Sequence, residues 1–302
     1  MQKRHLLKAL SLAIAAFLAV PLASGSTKAV PRLIFPVVGP VTYKNDFGDP
    51  RGRFPHQGND LMAVKKSPVV AVEDGKVTFW TSSSSAGCML YLHGRSGTMY
   101  EYIHLNNDRT MKNDNRGKCV AGTAYAKGLK NGARVNAGQP IGYLGDSGDA
   151  NGIASHLHFE VHPRGKSAVS PFPYLKRARS LLYAADPGTR VSLTLSGTLI
   201  AADTSNGTLN VGLTELLAST GQHLTSLSRK ITLKLSPDTL VLDKFGNKVS
   251  LENLTGLGSE KLVQIETTSV PTTLASELGS PLALTTFSVT ILDSEPSASP
   301  AT

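Results

Sequence analysis

The chain is poor in cysteine: two residues in 302, Cys88 and Cys119. They are too far apart for the CxxC spacing of a redox pair or a zinc knuckle, which leaves a single bridge or two thiols. Past the N-terminus there is no apolar run approaching the roughly 20 residues that a membrane span requires. No helix-turn-helix, zinc-finger or RNP pattern is present, so nothing points to nucleic acid. An HExxH metalloprotease helix is absent, as are an internal repeat and any long amphipathic helix. Acidic residues are the scarcer charge, 22 against 31 Lys and Arg, for a formal net of +9.

The remaining composition, 40% hydrophobic and 18% charged, is that of a soluble protein long enough for two domains. Residues 1–25 read as a secretory signal. "MQKRHLLK" is a positive n-region, "ALSLAIAAFLAVPL" an apolar core of 14 residues, and "ASG" offers small residues for cleavage. The mature protein is therefore expected outside the cytoplasm, secreted into the periplasm or cell wall, with no stable membrane insertion. In that compartment Cys88 and Cys119 can pair. The closed loop of about 32 residues would be worth about 3–4 kcal/mol in the chain-entropy model.

Charge is unevenly spread. Residues 26–183 carry 21 Lys and Arg against 11 Asp and Glu, whereas residues 184–302 carry 7 against 11. A basic front half favours an anionic partner, and outside the cytoplasm that is an anionic cell envelope rather than nucleic acid.

From Leu33 to Val161 the pattern is short apolar runs broken by Gly, Pro, Asn and Asp. "PVVAVEDGKVTFW" and "GCMLYLHGRSGTMYEYIHL" read as hairpins with turns at "EDG" and "HGRSG". The fold class is all-β: an antiparallel domain over 26–165, a Pro-rich connector over 166–190 and a second small β barrel or sandwich over 191–293. A tail over 294–302 reads as disordered. Residues 106–132 form a long polar insertion, which either walls or occludes whatever groove the domain carries.

Histidines carry the chemistry. In "SHLHFEV", His156 and His158 share one face of an extended strand, while Leu157 and Phe159 face the other. In "HQGNDL", His56 and Asp60 share a parity and can converge on one ion, with donor types that suit Zn²⁺. In "YEYIHL", Tyr100, Tyr102 and His104 are expected on one strand face, with the tyrosines lining a groove or packing. "DSGDANGIASHLH" is a Gly-rich approach to the final strand. His93 is expected at a hairpin turn without a chemical role, His162 exposed, His223 among polar residues, and His5 lost with the signal.

"HQGND", "YIHL" and "SHLHFEV", in that order, with "FGDPRG" before them and "GQPIGYLGDSG" between, resemble the LytM/lysostaphin-type zinc endopeptidases of the M23 peptidase family. The resemblance covers about 130 residues, from Phe35 to His162. It implies that His56, Asp60 and His158 bind zinc and that His104 and His156 are catalytic beside the metal.

That assignment is chemically coherent. Three protein ligands leave a fourth tetrahedral position open, as in a catalytic zinc site. With no glutamate placed as base, a histidine must handle the proton, and the other can help stabilise an oxyanion. The expected function is an exported zinc metalloendopeptidase that hydrolyses peptide bonds of bacterial peptidoglycan, in stem peptide or cross-bridge. The alternative is a non-catalytic wall-binding or activator module for other hydrolases.

Overall fold

The computed structural model describes residues 30–52, 54–81, 83–257, 261–271 and 284–292. The expected signal at 1–25 and tail at 294–302 lie outside them. Among the described residues no helix is long and apolar enough to cross a membrane.

Alternating apolar and polar positions build a six-stranded antiparallel sheet. Its order is Asn59–Met62, His156–His162, Met99–Leu105, Cys88–Gly94, Gly75–Trp80 and Arg134–Val135. One face is apolar. Leu61, Leu90, Leu92, Tyr100, Tyr102, Leu157, Phe159 and Val161 are buried there, against Phe35, Val69, Ile141 and Leu144. The two tyrosine hydroxyls entering this core are satisfied: Tyr100 donates to Glu73 at 2.7 Å, and Tyr102 accepts from the Val72 amide at 3.0 Å. The opposite face carries the polar residues of the same strands.

Cys88 and Cys119 are joined by a disulfide that ties the 106–132 insertion to the start of the Cys88–Gly94 strand. Within the insertion, Asp108 accepts the amides of Asp114 and Asn115 at 2.7 and 2.6 Å and pairs with Lys65 at 2.6 Å. The long polar stretch is thus folded around a buried carboxylate.

The C-terminal half forms a second sheet. Its main path runs His223–Leu224, Thr208–Ala218, Leu193–Asp203, Leu262–Thr267, Thr286–Ile291, Leu240–Leu242 and Lys248–Val249, with Arg229–Lys234 also pairing to Thr208–Ala218. A bridge between Lys234 and Thr285 brings the Arg229–Lys234 strand round to the Thr286–Ile291 strand and curls the sheet into a small barrel. Leu195, Val211, Leu213, Leu233, Val263, Ile265 and Val289 fill it.

The Pro-rich segment contains one short helix, Phe172–Leu175. Leu181–Ala185 after it are buried in the barrel's own apolar cluster, together with Ile34, Val38 and Val70 from the first half. The two halves share this core.

Candidate functional site

The polar face of the first sheet gathers its histidines at the Asn59–Met62 edge. Asp60 and His158 are directly opposite on neighbouring antiparallel strands, so their side chains rise side by side. His56 enters from the loop before the edge strand. That approach depends on Gly58: a Cβ there would lie 2.5 Å from the Phe159 carbonyl oxygen and 2.8 Å from His158 Nε2.

Three donor atoms converge. His56 Nε2 is 2.8 Å from His158 Nδ1, and both are 3.1 Å from Asp60 Oδ1. A tetrahedral ion with bonds of 2.0–2.1 Å has ligand–ligand edges of about 3.3 Å, so the triangle needs only slight expansion to hold one. The outer atoms are held as metal ligands usually are. His56 Nδ1–H donates to the Asp46 carbonyl at 2.9 Å, and His158 Nε2–H donates to Glu160 Oε1 at 2.8 Å. Asp60 Oδ2 accepts from Arg51 Nη2 at 2.7 Å. Asp46, itself buried, accepts from Asn59 Nδ2 at 2.6 Å.

The electrostatics suit a cation. Burial works against the Asp60 carboxylate, but hydrogen bonds from His158 and His56 hold its pKa well below the usual range. Burial also pulls the His158 pKa down. Its hydrogen bonds to Asp60 and Glu160 outweigh that and raise it to about 9. A proton thus occupies the place that a metal would take, and metal uptake must release it.

His104 and His156 stand next to the triangle, with ring centroids 5.1 Å apart. His156 Nδ1–H donates to the Ala154 carbonyl at 2.9 Å and His104 Nδ1–H to the Ser147 carbonyl at 2.8 Å. These bonds fix the rings with Nε2 available, 3.8 Å from Asp60 Oδ1 for His156 and 3.7 Å from Asp149 Oδ1 for His104. Burial, reinforced by the charge on His156, lowers the His104 pKa to about 4. At neutral pH His104 is an uncharged imidazole with a free lone pair, the form of a proton acceptor.

The five side chains lie in an open cleft of about 530 Å³. One rim carries Arg51, Phe54, Pro55 and Gln57; the other carries Ser85, Ala86, Asp149, Ala150 and Ile153. No residue of the 106–132 insertion lines it. The insertion instead braces the second rim, where Asn113 and Asn115 donate to Asn151 Oδ1 at 2.7 and 3.0 Å.

Two expectations need correction. Tyr100 and Tyr102 do not share a face with His104: both are fully buried on the apolar side, while His104 lines the cleft. The pairing with the Cys88–Gly94 strand shifts register between Cys88 and Leu90, and His104 takes a left-handed backbone, φ 63°. This irregularity turns the imidazole to the polar face. His162 is not exposed either. It is 8% accessible and bonded to Glu160, because the turn at Pro163–Gly165 folds back over it.

Glu160, Arg51 and Asp46 were missed. Glu160 had a signal, since it shares the parity of His156 and His158. Arg51 and Asp46 had none, because their approach depends on the fold of the Asp46–His56 loop.

Residues 54–171 match the family described as Peptidase family M23. The chain is 27% identical over 152 residues to L-Ala--D-Glu endopeptidase of Bacillus subtilis, covering 47% of this chain and 41% of that protein. It is also 27% identical over 135 residues to DD-carboxypeptidase/endopeptidase Mpg of Neisseria meningitidis, covering 43% and 26%. The chain thus spans less than half the length of these curated relatives. Among solved structures, the catalytic domain of lysostaphin from Staphylococcus simulans aligns with a TM-score of 0.35 and 27% identity, over 45% of this chain and 92% of that one.

Proposed function

We propose that this protein, whose residues 54–171 match peptidase family M23, is an exported zinc metalloendopeptidase that hydrolyses peptide bonds of bacterial peptidoglycan. The observation that carries this reading is the convergence of His56 Nε2, Asp60 Oδ1 and His158 Nδ1 within 3.1 Å of one another. These residues would hold Zn²⁺ through two imidazole nitrogens and one carboxylate oxygen. When bound, the ion supplies Lewis acidity toward water and the scissile carbonyl.

The chain's own groups do the rest. The imidazoles of His104 and His156 face the cleft through Nε2. Between them they accept a proton from the attacking water and return one to the leaving amine, and a ring that holds a proton on Nε2 donates a hydrogen bond to the developing oxyanion. Arg51 keeps Asp60 Oδ2 occupied, which leaves Oδ1 as the oxygen that would hold an ion. Phe54 and Ile153, 70% and 58% exposed on opposite rims, offer apolar contact to a peptide laid along the cleft.

In this reading residues 1–25 direct export, 26–165 form the peptidase domain, 166–190 connect, and 191–293 form an accessory β domain. The excess of Lys and Arg in the first half favours an anionic envelope as partner. The relatives named above as L-Ala--D-Glu endopeptidase and DD-carboxypeptidase/endopeptidase support a peptidoglycan substrate.

The test is incubation of the purified protein with cell-wall sacculi, with and without a chelator, and mass spectrometry of the released fragments. Release of new amino termini that stops on chelation and returns with Zn²⁺ is expected. No chelator-sensitive release under any zinc condition ends the proposal.

A further inference from the structure

Beyond the donor triangle, the polar face of the His156–His162 strand continues into a second buried group: Glu160, His162 and, across the sheet, Glu101. Glu160 and Glu101 are paired directly opposite each other. Two carboxylates in that position repel, and both are largely out of water. His162 lies against both, with Nε2 2.7 Å from Glu160 Oε2 and 3.3 Å from Glu101 Oε1. Its other nitrogen donates to the Lys166 carbonyl at 2.8 Å. The turn that places this carbonyl includes Arg164 in a left-handed conformation, φ 58°.

Glu160 joins the two groups. Each of its oxygens takes one imidazole: Oε1 accepts from His158 at 2.8 Å and Oε2 from His162 at 2.7 Å. The His158 ring is therefore fixed at its far nitrogen by a carboxylate that is itself fixed. With Nε2–H held by Glu160, Nδ1 is the nitrogen turned toward His56 and Asp60.

We propose that Glu160 and His162 are positioning residues for the metal ligand His158: Glu160 orients its ring and raises its basicity, and His162 with Glu101 holds Glu160 in place. This rests on the reading that His56, Asp60 and His158 bind zinc. A carboxylate behind a metal-bound imidazole typically changes metal affinity by about 10–100-fold. Glu101, Glu160 and His162 also have donor atoms close enough to hold an ion of their own. The hydrogen bonds favour the positioning role, since Glu160 spends one oxygen on each histidine.

The experiment measures zinc affinity and stoichiometry of the full chain by competition with a chromophoric chelator, and records the absorption of the Co²⁺-substituted protein. Wild type is expected to bind one equivalent. Glu160→Gln is close to isosteric and keeps an acceptor without the charge. It is expected to bind zinc about tenfold more weakly, and His162→Ala to weaken it by a smaller factor. Both should shift the Co²⁺ spectrum, which a purely structural role would leave unmoved. Circular dichroism checks that each variant folds. A folded Glu160→Gln with wild-type affinity and spectrum overturns the inference and leaves the metal reading intact. A second equivalent in wild type that His162→Ala alone abolishes overturns it in favour of a second ion. Wild type that binds no zinc overturns the underlying reading instead.

Discussion

Asp60 and His158 face each other across neighbouring strands, Oδ1 3.1 Å from Nδ1, so the candidate centre is built into backbone pairing. The backbone positions of both residues are set by the sheet register, and a slip of one residue in either strand would turn that strand's donor to the apolar face.

Replacing a ligand should therefore remove the ion without unfolding the sheet. His158→Ala and Asp60→Ala are expected to lose stoichiometric zinc and nearly all activity on sacculi. Metal analysis after gel filtration, beside circular dichroism, checks both.

His104→Ala and His156→Ala should separate binding from chemistry. Neither residue belongs to the donor triangle, so each variant should retain zinc while turnover falls by about 10²–10⁴-fold, the usual worth of a positioned acid or base. Zinc content and initial rates measured on the same preparation decide the point. Loss of zinc in either variant would place that histidine among the ligands.

Gly58 is the steric condition that lets His56 approach His158. Gly58→Ala would put a methyl group against the Phe159 carbonyl and the His158 ring. It should cost about 1–3 kcal/mol of stability and weaken zinc binding. Urea unfolding with and without chelator separates the two effects.

His104 makes a pH prediction with a definite sign. Its folded pKa, lowered to about 4, lies below the ordinary 6.5. Between those values the unfolded chain binds the extra proton, so His104 lowers stability as pH falls from 6.5 toward 4, by up to about 3 kcal/mol. In the metal-free protein His104→Gln should unfold with a shallower dependence on pH across that window. Urea midpoints at half-unit steps measure the slope. A variant slope equal to wild type would show that His104 titrates normally.

The Cys88–Cys119 bridge anchors the insertion that braces the Asp149–Ile153 rim. The double variant Cys88→Ser/Cys119→Ser should lose about 2–5 kcal/mol while still binding zinc, because no ligand comes from the insertion. Thermal unfolding and metal content of the variant report the two quantities.

Much of this site was legible in the sequence because strand geometry has a period of two. The parity of His156 with His158 puts both on the polar face of one strand, whereas His56 and Asp60 converge through the loop bend at Gly58 and not along an extended strand; alternation marked most of the strands. The same parity predicted the wrong face for His104, since it cannot see a register shift. One left-handed residue at the strand end reverses its direction. His162 was misjudged for a similar reason: a Pro-Arg-Gly turn reads as an exposed corner, yet here it folds back and covers the ring. Arg51 and Asp46 were out of reach, because their approach to the ligands is set by how one irregular loop wraps the edge strand. Glu160 was within reach of the argument that found its two neighbours.

Ile34, Val38 and Val70 lie in the same apolar cluster as the barrel, and this governs how the protein can be dissected. Trimming the chain near residue 190 to obtain a minimal enzyme would strip the cover from those side chains. The fragment would present a sticky, water-exposed flank and tend to precipitate or self-associate. The β barrel is in this sense a built-in chaperone for the half that carries the histidines, and studies of catalysis should begin with both halves together.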